Sequence, residues 1–142
     1  METKWQIPGI EKVYEAMTAV VSGRVELITE SNGKVWSSSG NKFYDISYSP
    51  DDKLIMSNDN SSYWKTELGY PAIGFLIKAG YVLADPDNFQ VLANIPWKQI
   101  NQQYRNDFVA AADDVLEGLT KDSCDLVKAE AQKSCVKFSP WT

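Results

Sequence analysis

The sequence predicts an α+β fold: an N-terminal helix, a four-stranded antiparallel β-meander, and then three to four C-terminal helices packed on one face of the sheet. Three observations predict it. Apolar residues recur at helical spacing before Gly23, at alternate positions through residues 24–57, and at helical spacing again from Trp64 onward. At 142 residues the chain is long enough to bury one core without metal or disulfide staples, and no linker or repeat divides it, so residues 1–142 read as a single globular domain.

The first helix starts near Pro8. Ile10, Val13, Tyr14, Met17, Val20 and Val21 share one face, Glu11, Lys12 and Glu15 hold the opposite one, and Gly23 ends the element. The period then changes to two. "RVELITE", "KVWSSS", "KFYDISYS" and "KLIMS" read as four strands, with Asn32-Gly33 as the tight turn of the first hairpin and "SGNK" and "SPDDK" as the later turns. The small residues Ser37, Ser38 and Ser39 predict that the second strand faces solvent or a sheet edge.

"YPAIGFLIKAG" is apolar almost all round, with Pro71 at its start and Gly80 at its end, and reads as a short helix buried on several sides. "DPDNFQVLAN" predicts one or two helical turns capped by Asp87 or Asn88. Pro96 opens a long helix whose inner stripe is Trp97, Ile100, Tyr104, Phe108, Ala111, Ala112, Val115 and Leu119. Asn101 interrupts that stripe. The simpler account is a wet stripe edge; the sharper one is a hydrogen bond from Asn101 to the backbone of "SNDN". The last helix spans about Ser123 to Phe138, with Cys124, Val127, Ala131, Cys135 and Phe138 in line.

The composition excludes several function classes. A formal charge of −5 disfavours a phosphate backbone, so no nucleic-acid partner is expected, and a helix-turn-helix fails on its connection length and on Asp85 and Asp87. With no histidine, triad hydrolases and zinc hydrolases in their usual forms are out, and neither "GxGxxG" nor "GxxxxGK" occurs. The expected cofactor and metal content is none. Cys124 and Cys135 lie eleven residues apart, about 16 Å along one helix, too far for a disulfide. They read as two small buried apolar side chains. No apolar signal core occupies the first twenty residues, and the run from Tyr70 to Ala79 is about half of what a bilayer needs, so a cytoplasmic protein without a membrane partner is expected.

Acids remain as candidate catalysts, and Asp45, Asp59 and Glu67 could supply a glycosidase-like pair, although nineteen acidic residues generate such pairs by composition alone. The chain therefore leans away from enzymes. Its first functional reading is a non-catalytic protein-interaction or regulatory domain that uses an acidic surface, bearing some of Trp5, Trp36, Trp64, Trp97 and Trp141, to bind another protein or its own copy. The alternative is a small polar ligand held by "SNDNSSYW", where Asn58, Asp59, Asn60 and Ser62 offer hydrogen bonds beside Tyr63 and Trp64. An EF-hand does not fit that loop. Its competing reading is a sheet-to-helix joint rich in capping residues, with Tyr63 and Trp64 as hydrophobic anchors.

The two readings of the loop separate in one experiment. If Trp64 is an anchor, Trp64→Ala costs about 3–5 kcal/mol in denaturant unfolding; if it grips a ligand, Asn58→Ala with Trp64→Ala abolishes binding at little cost in stability.

Overall fold

The computed structural model describes residues 9–38, 40, 42–49, 54–57 and 69–136. Its order is α1 (Ile10–Val21), β1 (Val25–Leu27), β2 (Asn32–Trp36), β3 (Phe43–Ser49), β4 (Leu54–Ser57), α2 (Tyr70–Lys78), two single-turn 3-10 helices (Pro86–Asn88 and Gln90–Leu92), α3 (Trp97–Gln103), α4 (Phe108–Glu117) and α5 (Lys121–Val136). The strands lie in the order β1-β2-β3-β4, every neighbouring pair antiparallel, which is the predicted meander. Helices pack on one face of it, as the α+β reading requires.

Period-two alternation decides which face is covered. Val25, Val35, Ile46, Tyr48 and Ile55 turn inward and are buried, while Glu26, Lys34 and Asp45, paired in one row across β1, β2 and β3, turn outward. Against the inner face lies α2, which touches all four strands. Residues Pro71 to Ile77 are all buried, because α1 covers the side of α2 that the sheet does not. At the centre of this sandwich Ile73, Phe75 and Leu76 meet Val13, Ala16 and Met17, all fully buried. The remaining helices pack around α1, and Val127 and Ala131 of α5 complete the core. At the end of α1, Gly23 takes φ +74, a left-handed conformation that suits glycine, and the N–H groups of Gly23 and Arg24 close back on Val20 and Ala19.

The first hairpin turns earlier than its Asn-Gly pair predicts. Asn32 and Gly33 are strand residues, paired with Ser47 and Ile46, and the chain reverses through Ile28–Ser31, where Thr29 Oγ1 accepts from the N–H groups of Ser31 and Asn32. A polar side-chain cap replaces the glycine turn. Gly33 is needed for a different reason: a Cβ there would lie 2.8 Å from Phe75 Cδ2 and 2.9 Å from the Glu26 carbonyl oxygen. Its bare backbone lets α2 settle onto the sheet.

Three further expectations are corrected. β2 is an interior strand, and Ser37, just beyond it, is buried rather than facing solvent, because the turn into β3 folds over it with Ser37 N–H donating to the Lys42 carbonyl. The 85–94 segment is capped by Asp85, whose carboxylate accepts from Asp87 N–H, and not by Asp87 or Asn88. It is also clamped from α5, where buried Glu130 accepts from Asp85 N–H at 2.8 Å and from Asn88 Nδ2 at 3.2 Å. The long helix after Pro96 is two helices: Arg105 and Asn106 take φ +53 and +64, Asn106 N–H closes on the Asn101 carbonyl at 2.7 Å, and Asp107 caps α4 through Ala110 N–H. A continuous apolar stripe conceals a break when the capping residues lie on its polar side.

Cys124 and Cys135 do share one helix, α5, so their separation stands; Cys124 is half-buried instead of fully buried. Among the described residues no helix is long and apolar enough to cross a membrane.

The close approach of α2 is directly testable. Gly33→Ala forces the added methyl group against Phe75 and a strand carbonyl, and urea unfolding is expected to show a loss of about 1–3 kcal/mol, the usual cost of overpacking a core.

Candidate functional site

The strongest polar anomaly of the sequence, Asn101, leads to the site. It lies on the inner side of α3 and is 8% exposed, so the wet-edge account does not hold. Its Nδ2 donates to Glu15 Oε1 at 2.7 Å, and its Oδ1, also buried, has no hydrogen-bond partner among the described residues. The "SNDN" backbone proposed as its partner lies outside the described residues; the partner seen is Glu15 of α1.

Asn101 lines a cleft of about 370 Å³. One wall is α1, which presents Glu11, Lys12 and Glu15; the opposite wall is α3, which presents Trp97, Lys98 and Gln102. Arg24, Ser37, Ser38, Lys42 and Tyr44 close the sheet side, with Tyr70 at the start of α2 and Asn106 and Phe108 at the break between α3 and α4. That break is why the site exists. A continuous helix would carry the chain straight on; instead the left-handed pair at 105–106 redirects it, so that Asn106 and Phe108 stand at the cleft.

Side-chain bonds hold α3 in place. Buried Trp97 donates from Nε1 to Thr18 Oγ1 at 2.8 Å, Asn94 N–H donates to Ser22 Oγ at 2.7 Å with Asn94 at φ +63, and Lys98 N–H reaches Ser38 Oγ at 3.3 Å. These bonds fix the spacing between α1, the β2–β3 turn and α3. Arg24 is fixed too, donating from Nη1 to the Trp36 carbonyl at 2.9 Å and bonding the Tyr70 side chain.

Burial is the dominant influence on the two charged groups at the floor. It raises the pKa of Glu15 above the usual carboxyl value, and the Asn101 hydrogen bond and the charges of Lys12 and Arg24 pull the other way. It lowers that of Arg24, opposed by Tyr70 and Glu15. Glu15 as a residue is half-buried, yet its carboxyl group lies deep enough for desolvation to outweigh every partner. An acceptor-rich floor of this kind, made by Glu15 and Asn101 beside aromatic rings and a guanidinium, can grip a polar molecule. Among the described residues no group of three or more His, Cys, Asp or Glu converges on a metal position.

The residues first singled out for ligand binding, Asn58, Asp59, Asn60, Ser62, Tyr63 and Trp64, lie outside the described residues, as do Glu67, Trp5 and Trp141. Asp45 is exposed on the outer row of the sheet. Trp97 is core, at 3% exposure, and Trp36 is half-buried. Glu15 escaped sequence reasoning because it belongs to the charged face of α1, where a carboxylate is ordinarily solvated; the signal that could have found it was the amide inside the apolar stripe of α3.

The raised pKa of Glu15 fixes the sign of a pH dependence. The folded chain holds this proton more tightly than the unfolded chain, so the associated stability is full below the unfolded value of about 4.3 and is lost as pH rises through the folded value. Glu15→Gln keeps an acceptor for Asn101 without the charge. Melting temperatures across this range should flatten in the variant, which should also be the more stable protein at neutral pH.

The comparisons bear on family alone. No curated protein and no solved structure matches the chain. A family model described as "Uncharacterised conserved protein UCP014422" matches residues 5–138. That span takes in every element of the fold and every wall of the cleft, and the chain belongs to this uncharacterised conserved protein family.

Proposed function

We propose that the protein is a small-ligand binding domain whose site is the cleft between α1, α3 and the β2–β3 turn. One observation supports this above the others: Asn101 Oδ1 is buried at the cleft without a donor among the described residues. Leaving such an acceptor unpaired costs about 1–3 kcal/mol, a penalty that a bound donor removes. The anchoring of Trp97 and Asn94 to α1 supports the same reading, since a site held open by its scaffold loses little entropy on binding. This moves the polar-ligand reading away from the 57–64 loop to residues whose geometry is on view.

A second reading, a protein-interaction module, has its own support on the outer face of the sheet. Trp36 and Phe43 pair there with ring centroids 5.0 Å apart, Lys34 Nζ lies 4.4 Å from the Phe43 ring centre, and Met56 is exposed on the same face farther along, opposite Ser47. Sedimentation velocity at rising concentration, compared with Phe43→Ser, tests its self-association form.

Gln102 is exposed on the α3 wall, so Gln102→Trp fills the cleft without removing a buried side chain. Protein purified from its native cells and then denatured should release a small molecule, identified by mass spectrometry, that the tryptophan variant does not carry. If neither protein carries one, and no member of a broad metabolite library raises the wild-type melting temperature, the cleft is not a binding site.

A further inference from the structure

The charge of the cleft differs from that of the chain. The whole protein is formally −5, yet the cleft gathers Lys12, Arg24, Lys42 and Lys98 against only Glu11 and Glu15. Both signs meet at the floor: Asn101 Nδ2 donates to Glu15, Asn101 Oδ1 is buried beside that bond, and the charges of Lys12 and Arg24 act on Glu15, while Lys42 and Lys98 are exposed side chains on the β2–β3 turn and the first turn of α3. Tyr44, Tyr70 and Trp97 line the same cleft.

Each sign selects one chemistry. Glu15 Oε1 already accepts one N–H, and beside it Asn101 Oδ1 lacks a donor; a group carrying several N–H bonds and a positive charge satisfies the amide, neutralises the carboxylate and stacks favourably near aromatic faces. A protonated amine has these properties and an alcohol only some of them. Arg24 has five N–H donors, more than the Trp36 carbonyl and the Tyr70 side chain use, and with Lys42 and Lys98 it favours a carboxylate or phosphate.

We propose that the cleft takes a small zwitterion of the amino-acid class, with its amine on Glu15 and Asn101 and its acid group on Arg24, Lys42 and Lys98. This rests on the reading of the cleft as a ligand site. An ammonium group at Glu15 would add to Lys12 and Arg24 in favouring its charged form against burial and the charge of Glu11.

The test uses the twenty free amino acids as probes, each beside its N-acetyl form, which keeps only the acid, and its carboxamide, which keeps only the amine, with binding followed by thermal shift and titration calorimetry on the full chain. At least one free amino acid is expected to bind, with both blocked forms about tenfold weaker or worse, the scale of one charge-assisted hydrogen bond. Glu15→Gln should close the gap between the free and N-acetyl forms, and Lys42→Glu, a surface change, the gap between the free and carboxamide forms. Equal binding of a blocked form to wild type overturns the half of the proposal that it lacks. If no amino acid binds while the metabolite library yields a ligand that Gln102→Trp excludes, the zwitterion assignment fails and the binding site stands; if neither yields a ligand, both fail.

Discussion

The distance between α2 and the sheet governs everything else in this fold. A helix with buried side chains on every side needs two surfaces to cover it, and here the inner face of the meander supplies one and α1 the other. Gly33 sets the distance on the sheet side, where Phe75 approaches the strand backbone, and Gly74 faces Val25 and Ala16 where α2 is squeezed between β1 and α1. A methyl group at Gly33 would lift α2 and leave voids around Ile73, Phe75 and Leu76, whereas one at Gly74 would meet Val25 and Ala16 at ordinary contact distances; protein interiors tolerate neither strain nor voids cheaply. Since α1 rests on α2, the same distance also fixes where Glu15 stands relative to the sheet.

The cleft is the place where this tight sandwich is not continued. α1 is longer than α2 and is partnered along part of its length by α3, which meets it through polar groups, Trp97 with Thr18 and Asn101 with Glu15, while Asn94 ahead of α3 bonds Ser22 just past the end of α1. Polar anchors hold two helices apart at a defined spacing, whereas interdigitating apolar side chains would draw them together. The same chain thus joins a close-packed apolar half and a half with an open, polar cleft, and α1 belongs to both. Burial at the seam raises the pKa of Glu15 although its side chain lines the cleft.

Much of the architecture was legible in the sequence, since the change of hydrophobic period from 3.6 to 2 and back is a direct image of helix, sheet and helix burial. The extents of α1 and α2 and the order of the strands follow from it. What periodicity does not encode is what happens at points, as opposed to along runs. The Asn32-Gly33 pair carries the strongest short hairpin signal available, yet Thr29 caps the turn from outside and the glycine answers to Phe75, a residue far along the chain. In the same way, Tyr104 to Phe108 continue a helical stripe on one face while Arg105, Asn106 and Asp107 end one helix and cap the next on the other. The site was half legible: Asn101 was visible as an amide out of place, and Glu15 was hidden among ordinary surface charges because only tertiary structure turns it toward a partner.

The pairings that build the cleft span most of the chain. Asn101 and Glu15 are 86 positions apart in sequence, and Trp97 and Thr18 are 79 apart. No fragment that lacks either partner can assemble these pairs, their formation closes a long loop at an entropic cost, and the contact order of this region is high. A molecule bound between them would join the first helix to α3 as a reversible crosslink, and with no affinity for the unfolded chain its occupancy would be linked to global unfolding. If the cleft binds a ligand as proposed, cellular lifetime would become a readout of its concentration, because a degradation machinery that samples the unfolded state would spare the occupied chain and remove the empty one.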